Sequence, residues 1–145
     1  MKKGTKSRSW GNNRDLVFDD FIEQFSSINN DKNLFPKKCR TCGKKYDSLY
    51  RYIFDTEAKA QSMEDAGEIL GQSCTMIYRN CSCGNTLVVT IRDEALPSIG
   101  DFWEAMRHLE QNSEETLKNI VTAFVEEWER KISLHYNLVD RRARF

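Results

Sequence analysis

Apolar residues change their spacing twice along this chain. From Asp15 onward, Leu16, Val17, Phe18, Phe21, Ile22, Phe25 and Ile28 recur every three or four residues, which predicts an amphipathic helix ending near Asn29-Asn30. Its apolar face is rich in phenylalanine and suits either a core or a partner groove. In the middle of the chain the period shortens. Residues Cys74 to Arg79 and Asn85 to Ile91 are β-branched and predict an antiparallel pair of strands joined by a tight turn. Pro97-Ser98 ends the second strand and opens a helix carrying Ile99, Phe102, Trp103, Met106 and Leu109 on one side. A longer helix follows, with Leu117, Ile120, Val121, Phe124, Val125, Trp128 and Ile132 at helical spacing. Asn112 with Glu115 three residues on reads as a capping box at its start, and the short link folds the two helices into an antiparallel hairpin. Two stretches are less decided. Asp47 and Ser48 suit the cap of a short helix through Leu49, Tyr50, Ile53 and Phe54, but the aromatic content also suits a strand. Residues 55–73 are polar, contain Gly67 and Gly71, and predict a surface insertion with a helical turn or two.

The cysteines add chemistry to this frame. Four of the five form two tight pairs, Cys39-Arg40-Thr41-Cys42-Gly43 and Cys81-Ser82-Cys83-Gly84. Two thiolates on one tight turn supply half of a tetrahedral metal site, and a glycine just after each pair permits the positive φ that such a turn needs. The expected site is one structural Zn²⁺ held by Cys39, Cys42, Cys81 and Cys83. Four cysteines close the coordination sphere, whereas a catalytic zinc keeps one position open. Rubredoxin-type iron sites use C-x2-C in both halves, so the C-x-C here argues for zinc. Cys74, on a predicted strand, is expected to be a small buried hydrophobe rather than a redox thiol.

Charge is balanced overall, with 22 basic and 22 acidic residues, but unevenly placed. Residues 1–14 carry five basic residues and no acid; residues 36–54 carry six against Asp47; residues 93–115 carry seven acids against Arg107. With Tyr46, Tyr50 and Tyr52 nearby to stack on bases, the basic stretch invites a nucleic-acid reading. The preferred expectation is that Lys37, Lys38, Arg40, Lys44 and Lys45 offset the negative charge of a zinc tetrathiolate and shield its sulfurs. The basic start has no apolar run resembling a signal peptide, and no stretch approaches membrane-spanning length, which points to the cytoplasm and against membrane insertion. His108 and His135 are the only histidines, both on predicted helices away from the cysteine pairs, and no catalytic motif accompanies them.

The stretch Phe35-Pro36-Lys37-Lys38-Cys39-Arg40-Thr41-Cys42-Gly43, with Tyr46, and then Tyr78-Arg79-Asn80-Cys81-Ser82-Cys83-Gly84-Asn85-Thr86-Leu87, resembles small bacterial cysteine-rich domains of the oxygen-regulatory-protein-like type. The resemblance covers about residues 34–95. It implies a bacterial regulatory or signalling context and a metal-binding tetracysteine.

Together these readings give an α+β protein. Residues 1–14 form a disordered basic arm, 15–30 an amphipathic helix, 34–95 a zinc ribbon with two cysteine knuckles, 98–138 a helical hairpin and 139–145 a basic tail. The expected function is a non-enzymatic adaptor or regulator that binds another protein or a second copy of itself. Phe18, Phe21, Phe25, Phe102, Trp103, Phe124 and Trp128 are the candidate interface anchors if their faces stay open. A nucleic-acid or ribosome-associated module is the alternative, and a metal or redox sensor using Cys74 the third reading.

Overall fold

Asn13 opens the first element by accepting a hydrogen bond from the Leu16 amide, and the chain enters helix α1 (Arg14–Ser26). The computed structural model describes residues 13–67, 71 and 73–143, the side chains of 59–61 and 138–143 excepted; nearly all of the basic arm expected over residues 1–14 lies outside this range. A two-stranded ladder follows, β1 (Lys37–Lys38) antiparallel to β2 (Lys45–Tyr46). Helix α2 (Leu49–Phe54) comes next, settling the helix-or-strand ambiguity. Its start is capped twice: Ser48 Oγ accepts from the Arg51 amide, and the side chain and carbonyl of Asn29 accept from the amides of Tyr50 and Leu49. The Asn29 turn that ends the first helical stretch therefore fixes the start of the next helix.

Strands β3 (Glu57–Asp65), β4 (Cys74–Asn80) and β5 (Thr86–Arg92) form an antiparallel sheet in sequence order, with Asn80 opposite Thr86 at the β4–β5 turn. The hairpin of β4 and β5 is the one the sequence predicts. Strand β3 is not, because residues 55–73 read as a polar insertion. As an edge strand it takes its order from pairing with β4 across a bulge between Ala58 and Met63, and only one of its faces has to be apolar. Helix α3 (Ile99–Gln111) and helix α4 (Leu117–Ala143) complete the fold, with α4 running through most of the stretch expected as a tail. The expected capping box is not formed. Asn112 closes α3, donating through its side chain to the His108 carbonyl, and Thr116 Oγ1 caps α4 by accepting from the Asn119 amide.

The aromatic side chains proposed as interface anchors form the interior. Phe18, Phe21, Phe25, Phe102, Trp103, Phe124 and Trp128 are each at most 4% exposed. Phe25 packs edge-on against Phe102 at 5.3 Å and beside Trp128 at 5.0 Å, Phe102 meets Phe124 at 4.9 Å, and Phe18 meets Phe124 at 5.4 Å. These are favourable ring geometries, each adding about 1 kcal/mol to the burial itself. The condition on which they are candidate anchors, that their faces stay open, is not met: α1, α3 and α4 cover one another. The Trp103 indole N–H also donates to Thr75 Oγ1 at 2.6 Å, tying α3 to β4.

Arg79 couples the sheet to the helices. Its side chain is 1% exposed, and every contact it makes is charge-assisted. Nε donates to Thr56 Oγ1 at 2.8 Å, Nη2 to the carbonyls of Ile53 and Thr56 at 2.7 and 2.9 Å, and Nη1 to Glu129 Oε2 at 2.8 Å. One guanidinium thus joins β4, the end of α2 and the middle of α4. Because β4 runs from Arg79 directly to Cys81, the same contacts hold the second cysteine pair against the helical core.

Candidate metal centre

Each cysteine pair sits at the tip of an antiparallel hairpin, one made by β1 and β2, the other by β4 and β5. The two tips are built alike. In the first, the Gly43 amide donates to the Cys39 carbonyl at 2.8 Å and the Cys39 amide to the Lys44 carbonyl at 2.9 Å. In the second, the Gly84 amide donates to the Cys81 carbonyl and the Cys81 amide to the Asn85 carbonyl, both at 2.8 Å. The second turn is the same device with one residue fewer, which is how C-x-C does the work of C-x2-C. Gly43 and Gly84 take φ of +80° and +95°, yet a Cβ on either would meet nothing within 4 Å. The glycines are there for torsion and not for space.

The hairpins bring Sγ of Cys39, Cys42, Cys81 and Cys83 within 4.8 Å of one another. Cys39 and Cys83 are 3.7 Å apart across the gap, Cys42 and Cys81 3.6 Å. Sulfurs held about 2.3 Å from one zinc at tetrahedral angles lie about 3.8 Å apart, so the two cross-gap separations are close to edges of such a site. A polynuclear iron–sulfur cluster needs room for its own sulfides between the thiolates, which this spacing does not leave. Cys39 and Cys81 are buried while Cys42 and Cys83 are exposed, so the centre lies at the surface with one side against the core.

Hydrogen bonds favour thiolate at some sulfurs and crowding opposes it at others. The Cys42 amide, with help from the Asn85 side chain and the Thr41 amide, lowers the Cys39 thiol to about 6 despite desolvation. Cys81 is raised by desolvation but lowered overall by the Cys83 amide and the Tyr46 hydroxyl. At Cys83 the Asn85 amide pulls down, but desolvation and the neighbouring sulfurs push the thiol up to about 11. Four sulfurs this close do not all ionise without a cation, and a divalent ion removes that conflict. Cys74 is buried on β4 outside the group, and desolvation raises its thiol. It packs as the small apolar residue expected, and a reactive thiol needs the opposite surroundings.

Two side chains that the sequence reading did not assign to the site support the sulfurs. The Tyr46 hydroxyl lies 2.9 Å from Cys81 Sγ and Asn85 Nδ2 is 3.6 Å from Cys39 Sγ. The only sequence signal is a donor side chain shortly after each Cys-Gly. Burial raises the Tyr46 phenol first, and the neighbouring Cys81 thiolate adds to it, so the phenol keeps its proton to donate. Removing such a supporting donor typically weakens metal binding by about 10- to 100-fold. Tyr46→Phe is therefore expected to lower zinc affinity by that factor in a competition titration against a chelating dye, with the fold retained; unchanged affinity would show that the hydroxyl is idle.

Among the described residues, the hydrogen bonds to the sulfurs do not involve the basic side chains around the first tip. These bonds come from main-chain amides, Tyr46 and Asn85. Lys38, Arg40, Lys44 and Lys45 are exposed around the first tip, with the Lys44 ammonium 5.3 Å from the Tyr46 ring centre. Of the tyrosines expected to stack on bases, Tyr46 and Tyr52 are buried and only Tyr50 reaches the surface. His108 and His135 lie on α3 and α4 and do not join the cysteine group. No helix among the described residues is long and apolar enough to cross a membrane. No family model matches the chain, and neither a curated protein nor a solved structure matches it.

Proposed function

We propose that this chain is a non-enzymatic adaptor or regulator whose four cysteines hold one structural zinc ion, making the two hairpins a zinc ribbon built into a helical core. The observation that carries the reading is the set of four sulfurs with 3.6 and 3.7 Å cross-gap edges, close to those of a zinc tetrathiolate. The metal's role is to staple two hairpin tips that are separated by a long stretch of sequence. With four protein ligands the ion has no open position for substrate, so the protein acts by binding. The resemblance of residues 34–95 to regulatory cysteine-rich domains agrees with that role. The site of binding is the hairpin-tip end, where exposed side chains remain after the helical aromatics are spent on the core.

Metal analysis of purified variants tests the ligand set. Cys39→Ser is expected to lose zinc, and Cys74→Ser to keep one zinc per chain. The reverse pattern would overturn the assignment.

A further inference from the structure

We propose that the hairpin-tip end binds single-stranded nucleic acid, the bases stacking on a surface aromatic cluster and the phosphates lying along the first cysteine turn; this names the partner for the binding role proposed above and rests on it. The cluster joins α2 to α4. Tyr50 meets His135 at 5.5 Å between ring centres, His135 meets Tyr136 at 5.1 Å, and Tyr136 meets Phe54 at 4.7 Å. Arg51 lies over both Phe54 and Tyr136, at 5.4 and 4.8 Å from their centres. Phe54 is 39% exposed and His135 is exposed, while Tyr50 and Tyr136 are half-buried against the core, so the cluster reaches the surface at its outer edge. Arg51 is itself paired with Asp55 at 3.0 Å, so what the four linked rings offer a ligand is apolar aromatic surface of the kind on which unstacked bases pack, and the positive charge has to come from elsewhere.

The charge beside the cluster identifies the partner as an anion. Lys38, Arg40, Lys44 and Lys45 are exposed, and none is ion-paired with an acid among the described residues. Since the sulfurs take their hydrogen bonds elsewhere, these cations are available to a ligand. The five cations of this turn, Lys37 included, outweigh Asp47 and the formal double negative charge of a loaded centre; Asp55 and Glu57 lie beside the second tip, so the positive charge belongs to the first cysteine turn. Tyr50 lies five positions after Lys45, so at most about 18 Å of chain lies between the last of these cations and the first ring. A polyanion carrying a base on each unit satisfies both surfaces at once, whereas an acidic peptide satisfies only the cations. Duplex hides the base faces inside its stack and leaves the rings unused.

The test uses the full zinc-loaded chain with fluorescein-labelled RNA and DNA 12-mers of one mixed sequence, their duplexes, and polyglutamate, at near-physiological and raised salt. Single strands are expected to bind, with polyglutamate and duplexes at least tenfold weaker, and preference between the RNA and DNA single strands identifies the natural form. A double variant, Lys44→Glu with Lys45→Glu, is expected to reduce the salt slope by about two and weaken binding steeply. Phe54→Ser is expected to weaken binding roughly tenfold with the salt slope unchanged. Zinc content and melting of each variant are measured in parallel, so loss of the metal staple is distinguished from loss of the partner. Absence of single-strand binding by folded, zinc-loaded protein would overturn this inference and leave the staple standing. So would equal binding of polyglutamate, or a nuclease-resistant protein complex that depends on Phe54.

Discussion

Stripping the metal with a chelator at neutral pH is expected to free both hairpin tips and lower the thermal stability of the whole chain, with recovery when zinc is restored. The apparent binding free energy of a structural zinc site is on the order of 10 kcal/mol. That is comparable to the whole margin of stability of a domain of this size. The coupling to the rest of the fold is direct. Cys39 and Cys81 belong to the same buried cluster as Phe35, Tyr46 and Tyr52, and Tyr46 packs edge-on against Tyr52 at 6.0 Å while bonding Cys81. Loss of the ion leaves buried sulfurs that repel when ionised and a buried phenol without its thiolate partner. Exposure of Cys42 and Cys83 gives the chelator a route to the site. Circular dichroism melts with and without chelator measure the effect, and an unchanged melting temperature after complete metal removal would mean that the centre does not hold the fold.

Trp128→Glu is expected to unfold the protein. Trp128 is wholly buried, 5.0 Å from Phe25 and 5.9 Å from Phe124 between ring centres. Truncating a buried aromatic of this kind costs about 3–5 kcal/mol, and an ionisable carboxyl in the same space adds a desolvation penalty. Phe54→Glu is the control, because Phe54 lies at the surface and the same change there is expected to leave the melt cooperative. A folded Trp128→Glu protein with a native spectrum would show that the three helices do not close on one another as described.

Much of this architecture is legible in the residues. Helical spacing locates α1, α3 and α4 to within a few positions, the β-branched runs locate β4 and β5, and the two Cys-Gly turns bring four sulfurs to one place. What sequence spacing leaves undecided is long-range. An aromatic stripe on α4 reads the same whether it faces a partner or Phe25 of α1, since periodicity names a buried face and not what buries it. Strand β3 has little pattern of its own because its order comes from β4. Arg79 looks like one more polar residue on a strand until α2 and α4 are folded around it, where two carbonyls, Thr56 and Glu129 make a buried charge tolerable. Tyr46 is similar: its ring suggests a surface stack, but its hydroxyl reaches a cysteine from the other hairpin.

X-ray absorption at the zinc edge, with metal content determined on the same full-length sample, tests the tetracysteine centre most directly. The predicted result is one zinc per chain with four sulfur neighbours at about 2.3 Å and no nitrogen or oxygen in the first shell. A mixed first shell, iron in place of zinc, or a chain purified without metal and still fully folded would contradict it.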